Sequence, residues 1–237
     1  GLLVELARAH WGLSEYDAAF DALAFAQESA SDASSRTARD TRIELLVLRG
    51  QWHLQLMDLE DAERDLQSAA IAARGSAPAV VDSVNEARLA LLLLQRRHSE
   101  AGQLADALFA SRRERLGPDH PETARAQRLR LDVAEQASDT ATLTPATLQA
   151  SHAAIVAAYG TRHPEYARQL MLEARASAGD DVQKELDLAR RAAQLLETTL
   201  GPRHPTTLLA KEAQARALLA VAADAPASDR EGLLAEA

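Results

Sequence analysis

Apolar residues recur along this chain at helical spacing, and the runs are broken at short intervals by Gly, Pro and Ser. Leu3, Leu6, Ala7 and Trp11 share one side of a helix over 2–13. Ser14-Glu15-Tyr16-Asp17 reads as a capping box with Asp17 in place of the usual Glu or Gln. It opens a second helix over about 15–29, which places Ala19, Leu23 and Ala26 against the first. After a Ser-rich loop over 29–35 the pattern predicts helices over 36–56 and 59–74, then 78–97 and 99–116. Further helices follow over 121–138, from Thr144-Pro145, over 164–178 and 181–200, and over 205–223. Ser228-Asp229-Arg230-Glu231 reads as another capping box before a short terminal helix.

One stretch is written three times. Leu116-Gly117-Pro118-Asp119-His120-Pro121-Glu122-Thr123 returns as Tyr159-Gly160-Thr161-Arg162-His163-Pro164-Glu165-Tyr166 and as Leu200-Gly201-Pro202-Arg203-His204-Pro205-Thr206-Thr207. The glycines are 43 and 41 residues apart, a spacing that fits stacked helix pairs. In each copy Gly ends a helix in the left-handed conformation, and Pro starts the next one where its missing N–H costs nothing. The core positions repeat as well: Gly50, Ala62, Leu66 and Ala69 lie 43 residues beyond Ala7, Ala19, Leu23 and Ala26. In the third pair Ala90, Ala101 and Leu108 take the corresponding slots, with one residue fewer in the turn.

The expectation is an all-α, right-handed superhelical solenoid of antiparallel helix pairs forming a single domain over 1–237. The pairs cover about 2–30, 36–75, 78–116, 121–160 and 164–201, with final helices over 205–236. The chain opens on Gly1 rather than Met, and is read as a segment of something longer.

From Ala7 onward, Ser14 in the turn followed by Tyr16, Ala19, Leu23 and Ala26 resembles the tetratricopeptide (TPR) signature. From Leu116 onward the likeness is to the kinesin-light-chain type, whose repeats of about 42 residues join through Leu-Gly-Pro-x-His-Pro. Leu116 to Pro121 and Leu200 to Pro205 match this junction fully, while Tyr159 to Pro164 lacks the first Leu and the Pro. The fourth copy departs most: Arg128 and Arg130 stand among its apolar residues, and Thr144 stands where the family has Ala. In the fifth, Glu185 takes an Ala slot.

Composition narrows the function. Apolar residues make up 47% but aromatics only 3%, so Ala and Leu must supply the burial, as close helix packing requires. Ten Gly and eight Pro fall mostly between the helical runs, which leaves almost no strand expected. A net charge of −9 argues against general nucleic-acid binding, which rests on neutralising phosphates, and any basic patch would have to be local. No run approaches the length of a membrane span. The absence of Cys removes disulfides and thiolate chemistry and leaves the compartment open; a cytoplasmic location is the working expectation.

No Gly-x-Ser-x-Gly elbow, phosphate loop or His-Glu-x-x-His is present, so no enzyme, cofactor or metal is expected. His120, His163 and His204 sit in successive pairs, too far apart for one ion, and read as residues that order each turn. The acids at Asp58, Glu60, Asp61, Glu63 and Asp65 read as a solvated helix start, and Asp180-Asp181 as a helix N-cap.

The remaining candidate is a groove. The resemblance implies that the first helix of each pair lines a concave face and meets a ligand at four outward slots. Carried onto this sequence, those slots hold apolar residues in the first three pairs: Val4, Trp11, Val47, Leu54, Val84, Leu91 and Leu94. Later they hold Arg125, Arg128, Arg168, Arg175 and Arg216, against Asp132, Glu135 and Glu212. The expected function is a non-enzymatic protein–protein interaction scaffold whose groove binds a peptide with one apolar end and one acidic or phosphorylated end. The competing reading of the same residues pairs each Arg with an acid on an adjacent helix and buries the apolar ones. A functional alternative is a regulatory or sensor domain of a larger bacterial signalling protein, such as a protein kinase or transcription regulator, which the Ala-, Leu- and Arg-rich usage suits. An apolar face at Leu2, Leu3 and Leu6 would invite more chain or a second copy, as in a homodimer.

Overall fold

The computed structural model describes residues 2–31 and 35–225. Among them are eleven helices and no strand. They are α1 (Leu2–Gly12), α2 (Tyr16–Ser31), α3 (Arg36–Gln55), α4 (Leu59–Ala72), α5 (Pro78–Leu94) and α6 (His98–Leu116), then α7 (Pro121–Gln136), α8 (Pro145–Tyr159), α9 (Pro164–Ser177), α10 (Val182–Leu200) and α11 (Pro205–Asp224). The capping box expected at Ser228 lies outside the described residues. The chain divides into two compact units, Gly1–Ser111 and Arg112–Ala237.

In the first unit α1 packs on α2 and α3 on α4, and the pairs meet through α2 with α3 and through α3 and α4 with α5. Ala7, Ala19 and Leu23 have no exposure, and neither do Ala62, Leu66 and Ala69 one repeat later. Small residues at the crossings let the backbones approach, and the Leu that fills the space is worth about 1.5–3 kcal/mol by burial alone. At Gly50 even a methyl group has no room: a Cβ there would stand 2.8 Å from Leu66 Cγ. Ser111 on α6 donates to the buried Asp82 on α5 at 2.9 Å.

In the second unit α7 packs on α8, α9 on α10 and α10 on α11, while α8 and α7 both meet α9. Its core holds Ile155, Leu170, Ala189, Ala192 and Leu196. Leu186 packs with Ala217 and Leu218 of α11.

The repeat is written in the backbone as well as in the core. Ser14, Met57, Arg96, Ser138 and Gly179 all take positive φ at the turn inside a pair, at intervals of 43, 39, 42 and 41 residues. Four of these five are not Gly, and each carries the steric penalty of a left-handed L-residue. The turns between pairs use Gly75, Gly117, Gly160 and Gly201, with φ between +74° and +91°. After the last three of these, His120, His163 and His204 each accept the backbone N–H two residues on at Nδ1, at 3.1 Å. The thrice-written stretch is therefore a Gly stop, a His cap and a Pro start.

The turn geometry corrects the third pair. The N–H of Ser14, Met57, Arg96 and Ser138 bonds to the carbonyl of Trp11, Leu54, Leu93 and Glu135, so Leu93 is the equivalent of Trp11. The turn is full length, and Leu89, 1% exposed, fills the close-packing slot while Ala90 is exposed. A small residue in the adjacent position misled the reading by one step.

Candidate functional site

The expected apolar groove residues fall into three groups. Val47, Leu54 and Leu91 are buried in the core that α3, α4 and α5 share, where Val84 lies too. They are therefore core residues, because the neighbouring first helix α5 covers that side of α3. Leu94 is 42% exposed but stands one position past the groove slot, which the corrected register gives to Ser83, Glu86, Ala90 and Leu93. Val4 and Trp11 remain half-buried. Val4 lines an open apolar hollow with Leu2, Leu3 and Leu45. Trp11 stacks on Trp52 with centroids 4.5 Å apart, meets Tyr16 and Phe20, and donates Nε1–H to Gln55.

The arginines of the second unit are brought together, by carboxylates. Arg128, 5% exposed, bonds Asp132 one turn on and donates Nε–H to Glu165 of α9 at 3.2 Å. Arg175 on α9 reaches back to α7, to Asp132 at 2.6 Å and Glu135 at 2.8 Å. Arg168 bonds Glu165, and Arg125 lies 3.9 Å from the same carboxylate. Burial alone would raise the Glu165 carboxyl, but the guanidiniums of Arg128, Arg168 and Arg125 outweigh it and hold the group below its ordinary value. Burial would likewise lower Arg175, and Asp132 and Glu135 reverse that. The Arg stripe is thus a bracket between α7 and α9, and Arg128 has no face left for a ligand. Arg216, on α11, is exposed.

Sequence reasoning missed a second arrangement in this unit. Ser151 on α8 and Gln169 on α9 are fully buried polar side chains. Ser151 Oγ–H donates to Gln169 Oε1 at 2.8 Å, and Gln169 Nε2–H donates to Glu173 Oε1 at 2.8 Å. His152 Nδ1 is 2.8 Å from the same oxygen, so that nitrogen carries the proton, since a carboxylate only accepts. The His152 and Tyr166 rings meet in a T-shaped arrangement, centroids 5.5 Å apart. The chain of bonds ends on the wall of a cavity of about 420 Å³ between α8, the end of α9 and the start of α10. The available signal was polarity: Ser151 and Ile155 repeat the spacing and full burial of Ala19 with Leu23 and Ala62 with Leu66. A Ser in that slot needs a partner.

In the first unit His53, Asp58 and Asp61 lie within 4.8 Å of one another. Asp58 caps α4, Asp61 pairs with Arg64, and the His53 ring stacks on Phe20 with its Nδ1 3.3 Å from the Asp58 carboxylate. No helix among the described residues is long and apolar enough to cross a membrane.

No protein-family model matches this sequence, and no curated protein matches it. Among solved structures the chain resembles the crystal structure of BtubC (BKLC) from P. vanneervenii, with a TM-score of 0.64 at 10% identity over 91% of this chain and 84% of that one. At that identity the likeness speaks for the fold alone, an all-α, TPR-like arrangement of helix pairs.

Proposed function

We propose that this chain is a non-enzymatic scaffold that binds a protein or peptide partner. The supporting observation is the helix-pair fold itself, which spends its small and apolar residues on crossings and leaves first-helix side chains such as Trp11 and Arg168 only partly covered. Surface of this kind recognises extended or helical segments through shallow, repeated contacts. With Arg128, Arg168 and Arg175 held by carboxylates, the argument for an acidic partner end loses its basis, and the proposal keeps to a protein or peptide. The test is selection of short random peptides on the immobilised chain. The expected result is convergence on one motif that binds the folded chain at micromolar affinity, about −8 kcal/mol, and not the heat-unfolded one. Failure of the selected sequences to converge would contradict the proposal.

A further inference from the structure

The cavity between α8, α9 and α10 is walled by apolar side chains from two helices, Leu148 with Pro145 on α8 and Ala176 on α9. Its acidic groups are Glu173, Asp180 and Asp181 against the ammonium of Lys184, three carboxylates facing one lysine. Glu173 is mostly buried, with its side chain 18% exposed. Both of its hydrogen bonds end on Oε1, which leaves Oε2 for another donor. The support behind it is unusual for an Ala- and Leu-packed core. Ser151 and Gln169, both fully buried, do nothing for packing that Ala and Leu would not do better, yet together they fix the carboxylate's position.

We propose that this cavity receives an arginine side chain of the partner peptide. The three methylenes of the side chain would lie along Leu148, Pro145 and Ala176, as long cationic side chains cover apolar surface with their stems. The guanidinium, a planar fork of donors, would pair with Glu173 Oε2 and with the rim carboxylates of Asp180 and Asp181, which are exposed at the mouth. A volume of about 420 Å³ holds one such side chain with part of its backbone and falls within the range of ordinary ligand clefts. The same charge repels phosphates and acidic peptides. The inference rests on the scaffold reading and adds to it one anchor and its chemistry.

The test runs the peptide selection on the wild-type chain and on Glu173→Gln in parallel, with Glu60→Gln on α4 as a control for the loss of one charge elsewhere. Helix content by circular dichroism establishes that each variant is folded. The proposal predicts that wild type and Glu60→Gln enrich one invariant Arg, and that Glu173→Gln loses that preference. For the winning peptide, replacing its Arg by Gln and replacing Glu173 by Gln should each weaken binding about tenfold or more, and the two changes together little further. Asp180→Asn with Asp181→Asn should weaken it a fewfold and flatten its salt dependence. Three results would overturn the proposal: winners with no invariant cation, a folded Glu173→Gln that binds as tightly as wild type, or free L-arginine amide binding as tightly as the peptide. The first two leave the scaffold reading standing if a peptide still binds. Selection without convergence, together with Glu173-dependent binding of L-arginine amide, removes the scaffold reading and the peptide occupant with it.

Discussion

The two units of the chain solve the same packing problem with different chemistry. In the first, neighbouring first helices meet through apolar and aromatic side chains: Val47, Leu54 and Leu91 in one layer, Trp11 on Trp52 in another. In the second, the first helices α7 and α9 are bracketed by Arg128, Arg175, Asp132, Glu135 and Glu165. Val47 and Leu54 stand in the slots that Arg128 and Glu135 take in the second unit, so a face that looks like a binding stripe in one dimension can be an interior in three. Apolar packing is tolerant of small displacements, whereas buried charges are costly unless every partner is present. The second unit therefore depends on completeness, and the first on volume.

The largest effects should come from breaking either device. Glu165→Ala leaves Arg128 buried beside Asp132 alone and should destabilise the second unit by about 3–5 kcal/mol. Hydrogen exchange should then rise in α7 and α9. Trp52→Ala in the first unit should cost a similar amount, about 3–5 kcal/mol, with faster exchange in α1 and α3. If Glu165→Ala left exchange in α7 and α9 unchanged, the bracket would be ornamental.

Acid should separate the two units. The folded Glu165 carboxyl titrates below its ordinary value because of the arginines around it. Its contribution is fully present above the unfolded glutamate value of about 4.3 and is lost as pH falls through the lower, folded value. Exchange measured from neutral pH down through that range, corrected for intrinsic rates, should show α7 and α9 loosening, and Glu165→Gln should remove that part of the acid dependence. A variant with the full acid response would assign it elsewhere.

Caps and turns come next. His163→Ala removes the acceptor for the Glu165 N–H and should cost about 1 kcal/mol, with Asn at that position restoring most of it. Smallest and opposite in sign, Ser138→Gly relieves a left-handed residue at φ +55° and should raise stability by about 0.5–1 kcal/mol in urea unfolding.

Much of the fold was legible because each junction carries its own punctuation. Gly at positive φ, His as an acceptor and Pro at the first helical position are local devices that need no knowledge of the rest of the chain. The small-residue slots at Ala7, Ala19, Ala62 and Ala69 were legible for the same reason. The third pair slipped by one because Leu89 fills a slot where Ala or Gly was expected, and Ala90 beside it offered the wrong anchor.

The groove was less legible, since its meaning depends on partners far along the chain. Arg128 and Glu165 are 37 residues apart and Arg175 and Asp132 are 43 apart, about one repeat, so each pair meets only when the helices stack. The period that revealed the repeat also contained the pairing. The Glu173 cavity was hidden by a turn lengthened between Ser138 and Thr144, where Thr144 caps α8 instead of entering the core. That shift puts Ser151 in an Ala-like position and obscures the slot count.

The central claim is that the arginines of α7 and α9 hold the two helices together. A double-mutant cycle with Arg128→Met, Glu165→Gln and the pair, followed by urea unfolding, tests it most directly. The account predicts a coupling of about 2 kcal/mol or more, with the double variant more stable than the sum of its single losses implies. Losses that add to within about 0.5 kcal/mol would contradict it.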